Sequence, residues 1–329
     1  DLDLVASVVS MMPPAWENDK SIDQNVREML EFFSLYEEKN DGPAALIFGD
    51  GNIIGARLDR LGLRPLRTIE TTDYLAAMSE AGQVDFPEET VLSRGRIEAG
   101  GILYYDHSLK KVFNTPEALS SLAEKRQYGL LLKKARFKIS DIPDNEDATD
   151  KSPLHYDGDL NRNARYVAYS HNQESFRFLM DPMLESGLEK VSAMGYGNAI
   201  NALSDNEGGV AKYFSQRFAQ VTNPPLDSIR EADGMTLRLA LGEKPGNVTQ
   251  CSQQIIIESP LLSYSDILKI SSQDMVPVGF FDALFEPVAN NFEQNKKSLI
   301  SGIESLCDEV ENFVKKNGGI AIVSDRQIC

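Results

Sequence analysis

Apolar residues recur at helical spacing from Ile22 through Val26, Met29, Leu30, Phe33 and Tyr36, which predicts a helix with one buried face. Ser21 caps it with Gln24 three residues on, and Asp41-Gly42-Pro43 stops it, giving bounds of Ser21–Lys39. The period then shortens to that of strands. Ala44–Phe48 and Ile53–Leu58 flank Gly49-Asp50-Gly51-Asn52, a hairpin turn. Further strands are predicted at Pro65–Ile69, Tyr74–Met78, Thr90–Ser93 and Ile102–Tyr105, then a helix over Pro116–Lys134 capped by Thr115. Strands joined by hairpins give a largely antiparallel sheet, an α+β arrangement.

The pattern lapses over Asp141–Asp159, where seven carboxylates and two prolines stand with almost no apolar periodicity. Such a run reads as a solvated connection, which divides the chain into 1–140, an acidic linker 141–163, and 164–329. Beyond it helices and strands alternate. Helices are predicted at Gln173–Met180, Gly209–Gln220, Leu226–Leu241 and Tyr264–Ile270, and strands at Ile255–Glu258, Val276–Phe281 and Ile320–Val323. One apolar stripe, from Phe292 through Leu299, Ile303, Leu306 and Val310 to Phe313, runs along Val288–Lys316 and ends at Gly318-Gly319. Strand, helix and strand in that order predict a crossover between parallel neighbours, so this half is α/β. The chain opens at Asp1 and stops directly after the last strand, where an open parallel sheet continues into a helix; both features predict a longer parent chain.

Composition narrows the function classes. Hydrophobic residues are 42% and charged residues 25%, an ordinary globular mixture. A net charge of −17 disfavours nucleic acid and anionic lipid as partners. The longest apolar runs are strand-sized, short of a membrane span. Cys251, Cys307 and Cys329 are far apart, with no CxxC spacing, and fit buried thiols in a reducing cytoplasm. His107, His155 and His171 are isolated, which weakens any histidine-based triad within the chain.

Two stretches could carry chemistry. Gly55–Arg67 packs Arg57, Arg60, Arg64 and Arg67 with Asp59 into thirteen residues. Arginine forks suit carboxylate ligands; the alternative is arginines tying loops to buried aspartates. Phe218–Asp227 joins two predicted helices through Pro224-Pro225, which fixes the turn and leaves carbonyls without helical partners.

These stretches also carry a resemblance. Met11-Met12-Pro13-Pro14-Ala15-Trp16, Asp41-Gly42-Pro43-Ala44-Ala45, Leu58-Asp59-Arg60-Leu61-Gly62-Leu63-Arg64-Pro65, Ser79-Glu80-Ala81-Gly82 and Gln127-Tyr128-Gly129 resemble the closing part of the class II amidotransferase domain of glutamate synthases. Asp181-Pro182-Met183, Ala193-Met194-Gly195, Phe218–Asp227 with Ile229-Arg230-Glu231, Glu258–Leu262 and Ile322–Arg326 resemble that family's central domain. The motifs stand in family order along nearly the whole chain, and Phe-Ala-Gln-Val-Thr-Asn-Pro-Pro is the most specific. Leu61 stands where the family motif has asparagine, and Ala193–Ala199 and Ala232–Met235 also depart from the pattern, as in a divergent member.

The resemblance implies an incomplete amidotransferase sheet followed by a Rossmann-like parallel α/β central domain. It implies an enzyme that hydrolyses glutamine, passes ammonia through a tunnel, and joins it to 2-oxoglutarate with reduction to glutamate. The family's nucleophile is an N-terminal cysteine, and position 1 is Asp1, so no catalytic residue is assigned here and the chain alone is expected to be inactive. FMN and an iron–sulfur cluster are expected in a C-terminal part beyond Cys329. Partners are the remaining domains of the same polypeptide and a glutamate synthase small subunit. The tunnel assignment falls on the carbonyls of Thr222 and Asn223. Two other readings stand beside it: a separate enzyme using strand ends near Ser259 and Asp325, and a non-catalytic scaffold or divergent paralogue of the central domain.

Overall fold

The computed structural model describes residues 2–40, 42–144, 162–169, 171–188, 227–244, 253–288 and 290–325. The chain divides into two compact units. One comprises Asp1–Glu146, Pro225–Val278 and Val314–Ile320; the other comprises Asp147–Pro224, Gly279–Phe313 and Ala321–Cys329. The architecture is mixed α/β with several sheets.

The first unit opens with α1 (Leu4–Met11) and α2 (Gln24–Phe33). Strands β1 (Ala45–Gly49) and β2 (Ile53–Leu58) form the predicted hairpin, whose turn is tied by Asp50 accepting the Asn52 and Ile53 amides at 2.9 and 2.8 Å. Next come β3 (Arg67–Thr71), β4 (Leu75–Met78), β5 (Val91–Arg96), β6 (Ile102–Asp106) and β7 (Lys111–Phe113). Two antiparallel sheets result, ordered β1-β2-β6-β7 and β4-β3-β5. Helices α3 (Thr115–Ala123) and α4 (Tyr128–Ala135) share with α1, α2 and the first sheet a core that includes Val9, Met29, Leu30, Phe33, Ile102 and Ala118. Each large side chain so buried contributes about 1.5–3 kcal/mol.

Three expectations are corrected here. Asp23, rather than Ser21, caps α2, accepting the Asn25 amide at 2.9 Å, while the Ser21 hydroxyl donates to Asp19 instead. Asn114, rather than Thr115, caps α3 in a capping box with Glu117; the Thr115 hydroxyl bonds both backbone groups of Ile102 and fastens the helix to the sheet. The predicted Pro116–Lys134 helix is broken after Ala123. The break lets Tyr128 lodge against Phe32 and Phe33, with ring centroids at 5.2 and 5.9 Å.

Past α4 the chain forms β8 (Arg136–Lys138), and Ile142, at the head of the acidic stretch, is buried. In the other unit lie α5 (Arg162–Ala168), α6 (Gln173–Ser175) and α7 (Asp181–Ser186). The predicted Gly209–Gln220 helix lies outside the described residues. The predicted Leu226–Leu241 helix is instead α8 (Ser228–Gly234) followed by a strand, β9 (Leu239–Leu241). Backbone pairing decides this, because β9 joins β10 (Gln254–Ile257) in an antiparallel ladder and β10 lies parallel to β8. Every residue of β10 is buried, as a central strand covered on both faces requires. Helix α9 (Tyr264–Ser272) places Ile270 with Ile142, Ile255, Ile257 and Val276 in a second core.

β11 (Val278–Asp282) and β12 (Ile320–Ser324) form a two-stranded sheet on either side of α10 (Phe292–Asn317). Ile320 donates to the Pro277 carbonyl at one end and Ala283 to the Ser324 carbonyl at the other, so the two strands run the same way. Phe313 of α10 meets Phe281 of β11 edge-on at 5.6 Å.

Candidate functional site

Asp59 organises the arginine-rich stretch. It is 1% exposed and its carboxylate accepts the backbone amides of Ala44, Leu63 and Arg64 at 3.3, 2.8 and 3.1 Å. Its carbonyl accepts those of Gly62 and Gly100, and Gly62 turns the loop with φ at +67°. A carboxylate holding several amides fixes a loop without spending an arginine. The two innermost arginines go elsewhere. Arg60 pairs with Glu17 at 2.9 Å, and Lys39 reaches the same carboxylate at 2.7 Å. Burial alone would raise the Glu17 carboxyl; the Lys39 hydrogen bond and the charges of Arg60 and Lys39 outweigh it and hold the group below its ordinary value. Arg57 donates from Nε to the carbonyl of Met12, the residue that closes α1, at 2.6 Å. A cation at a helix C-terminus is electrostatically well placed. Among the described residues its terminal nitrogens have no hydrogen-bond partner, and burial pushes the guanidinium down to about 9, still charged at neutral pH.

The loop borders a cleft of about 1000 Å³ whose lining includes Lys20, Arg64, Arg67 and Arg96. A second cleft, of about 370 Å³, lies over β8, β9 and β10. Two of its lining arginines meet Glu31 of α2, Arg238 at 2.5 Å and Arg136 at 3.5 Å. Arg136 also donates to Ser34 at 2.9 Å and to the buried Gln254 at 3.1 Å. Burial pushes Arg136 down to about 10, Glu31 opposing and Arg238 adding to the fall. Sequence reading did not find this cluster, since its members come from α2, β8, β10 and the loop before β9, and no local motif joins them.

The remaining candidates are scattered. Thr222 and Asn223, with Cys251, Cys329 and His155, lie outside the described residues. His107 is exposed at the end of β6, edge-on to Tyr105, and Cys307 is exposed on α10. Ser259 accepts the Leu261 amide at 3.2 Å, a turn contact. Asp325 uses its carbonyl to accept the Tyr169 hydroxyl at 3.5 Å. Among the described residues no three histidine, cysteine or acidic side chains stand together as a metal site, and no helix is long and apolar enough to cross a membrane.

Residues 164–329 match the family profile described as glutamate synthase central domain, and residues 1–131 match class-II glutamine amidotransferases. The chain is 31% identical over 331 residues to a ferredoxin-dependent glutamate synthase of Cyanidium caldarium, covering 98% of this chain and 20% of the relative. It is 29% identical to an NADH glutamate synthase of Schizosaccharomyces pombe, covering 99% of this chain and 16% of the relative. Identity is 30% to ferredoxin-dependent glutamate synthase 2 of Synechocystis, over 93% of this chain and 19% of that protein. The chain thus spans a fifth or less of the length of these relatives.

Proposed function

The chain belongs to the glutamate synthase family, and on that premise we propose that it supplies the closing part of a glutamine amidotransferase domain together with the central domain of an enzyme that makes glutamate from glutamine, 2-oxoglutarate and a reductant. One observation carries this reading: the two family regions follow each other on a single chain, and glutamate synthases align with it over 93% to 99% of its length. In this reading residues 1–140 are the amidotransferase remainder, 141–163 an acidic connection, and 164–329 the central domain, with β11 and β12 as strands of a Rossmann-like sheet and α10 as the crossover between them.

Glutamine hydrolysis needs a nucleophile with a base beside it, and that pair belongs to residues outside this chain, so the isolated chain is inactive. FMN and an iron–sulfur cluster also lie elsewhere in the cytoplasmic polypeptide, where the flavin supplies the reducing step. A small subunit is a further partner. What this chain contributes is passage. Ammonia offers three N–H donors, and the carbonyls of Thr222 and Asn223, stiffened by Pro224-Pro225, accept them without a charged group that would protonate or trap it.

Asn223→Trp in the full-length enzyme tests this directly. Glutamine hydrolysis continues, glutamate formed per glutamine consumed falls several-fold, and free ammonia appears in the medium. Unchanged coupling would remove the tunnel role from this turn. Absence of any glutamine-dependent glutamate formation by the unsubstituted full-length protein would remove the wider reading.

A further inference from the structure

We propose that the cleft beside the Asp59 loop binds a small organic polyanion bearing carboxylate or phosphate groups, with Lys20, Arg64, Arg67 and Arg96 as its receptors. This site is separate from the glutamate synthase reading and does not depend on it.

The cleft measures about 1000 Å³, the size of an organic ligand's site rather than that of a single oxyanion. Among the described residues its lining carries five cationic side chains against two carboxylates, in a chain whose net charge is −17. The overall field repels anions, so this concave cationic surface is a local exception to the charge of the molecule. Arg60 is neutralised by Glu17 at 2.9 Å, and Arg96 shares Glu98 at 3.0 Å. Asp19 is engaged by the amide and hydroxyl of Ser21. Lys20, Arg64 and Arg67 have no carboxylate partner among the described residues.

A second observation comes from strand register. Arg67 of β3 stands directly opposite Arg96 of β5 in the antiparallel pair, both are exposed, and both line the cleft. Like charges facing each other across two strands are destabilising, and an anion between them turns that repulsion into attraction. Arg64 joins them from a loop already fixed by Asp59, so little ordering cost remains on binding. Guanidinium forks match carboxylate and phosphate oxygens in pairs, which sets the ligand class.

The experiment is a calorimetric titration of the full-length protein with citrate and, separately, pyrophosphate, with ionic strength held constant by sodium chloride. One saturable site is expected. Binding weakens at least tenfold in the Arg64→Gln, Arg67→Gln double variant and is unchanged in Lys133→Gln, an exposed residue outside the cleft. Tighter citrate identifies a carboxylate ligand, tighter pyrophosphate a phosphorylated one. Should the double variant melt early, Arg64→Gln alone carries the comparison. The site is ruled out by an absence of saturable heat, by binding that survives the arginine substitutions, or by equal weakening in Lys133→Gln.

Discussion

At the scale of single residues, Arg57 is the side chain that physical chemistry least expects. It is 0% exposed, it is charged, and one hydrogen bond to Met12 is its described polar contact. An uncompensated buried charge costs several kcal/mol, and apolar replacement of buried charges is often neutral or stabilising. Arg57→Met, which keeps the length of the side chain, is therefore expected to hold or raise the melting temperature, with a gain of up to about 3 kcal/mol. Arg57→Ala leaves a cavity and lowers stability. A sharp loss in the methionine variant would mean that the guanidinium has an anionic partner. Glu17 makes the opposite case. Its folded value is depressed, so the stability it contributes is complete above the ordinary glutamate value of 4.5 and is lost as pH falls through the lowered one. Glu17→Gln should flatten the acid limb of a melting-temperature profile below pH 5; an unaltered limb would show that other carboxylates govern it. The density of arginines in Gly55–Arg67 was legible from the sequence, and so was a buried aspartate. Their pairing was not, because Asp59 spends its oxygens on backbone amides, while Arg57 and Arg60 find partners far away in the chain.

At the scale of elements, what the sequence disclosed depended on whether a local pattern existed. The β1–β2 hairpin and α9 lie where the pattern placed them, and α10 follows its apolar stripe closely. Helix α1 escaped notice because Leu4–Met11 is apolar nearly all round and shows no contrasting face. The single helix expected over Leu226–Leu241 failed for a different reason: Leu239–Leu241 suits either state, and the ladder with β10 settles it. Gly318-Gly319 was read as a helix stop, and the structure gives the second glycine a further duty. Gly319 sits at φ +91°, and a Cβ there would lie 2.2 Å from the Pro277 carbonyl oxygen, next to the hydrogen bond by which Ile320 begins its pairing with Pro277. Gly319→Ala is expected to destabilise by at least about 2 kcal/mol, combining positive φ with overpacking, and to cut amide protection along β12. Gly319→Asn separates the two causes. Asparagine tolerates positive φ, yet its Cβ meets the same carbonyl, so it should be as damaging as alanine; recovery with asparagine would assign the effect to φ alone.

On the scale of the whole molecule, chain order and spatial grouping diverge. The first compact unit gathers residues from both sides of the acidic stretch, and β8 before it pairs with β10 after it. Nothing local in Arg136–Lys138 announces a partner more than a hundred residues on, so this sheet was invisible to pattern reading, whereas the order of family motifs was visible. That order bears on size. Glutamate synthases align with the chain nearly end to end, yet it spans only 20%, 16% and 19% of their lengths. If the chain works within such a polypeptide, antibodies raised against it should detect, in extract of its source cells, a band about fivefold heavier than 36.5 kDa. Glutamine-dependent glutamate formation should co-purify with that band. A band at 36.5 kDa would detach the chain from the full reaction, because the nucleophile and the flavin assigned to other parts of the polypeptide would then have to come from a separate protein. The polyanion cleft would be untouched by that outcome, since its receptors Lys20, Arg64, Arg67 and Arg96 all belong to this chain.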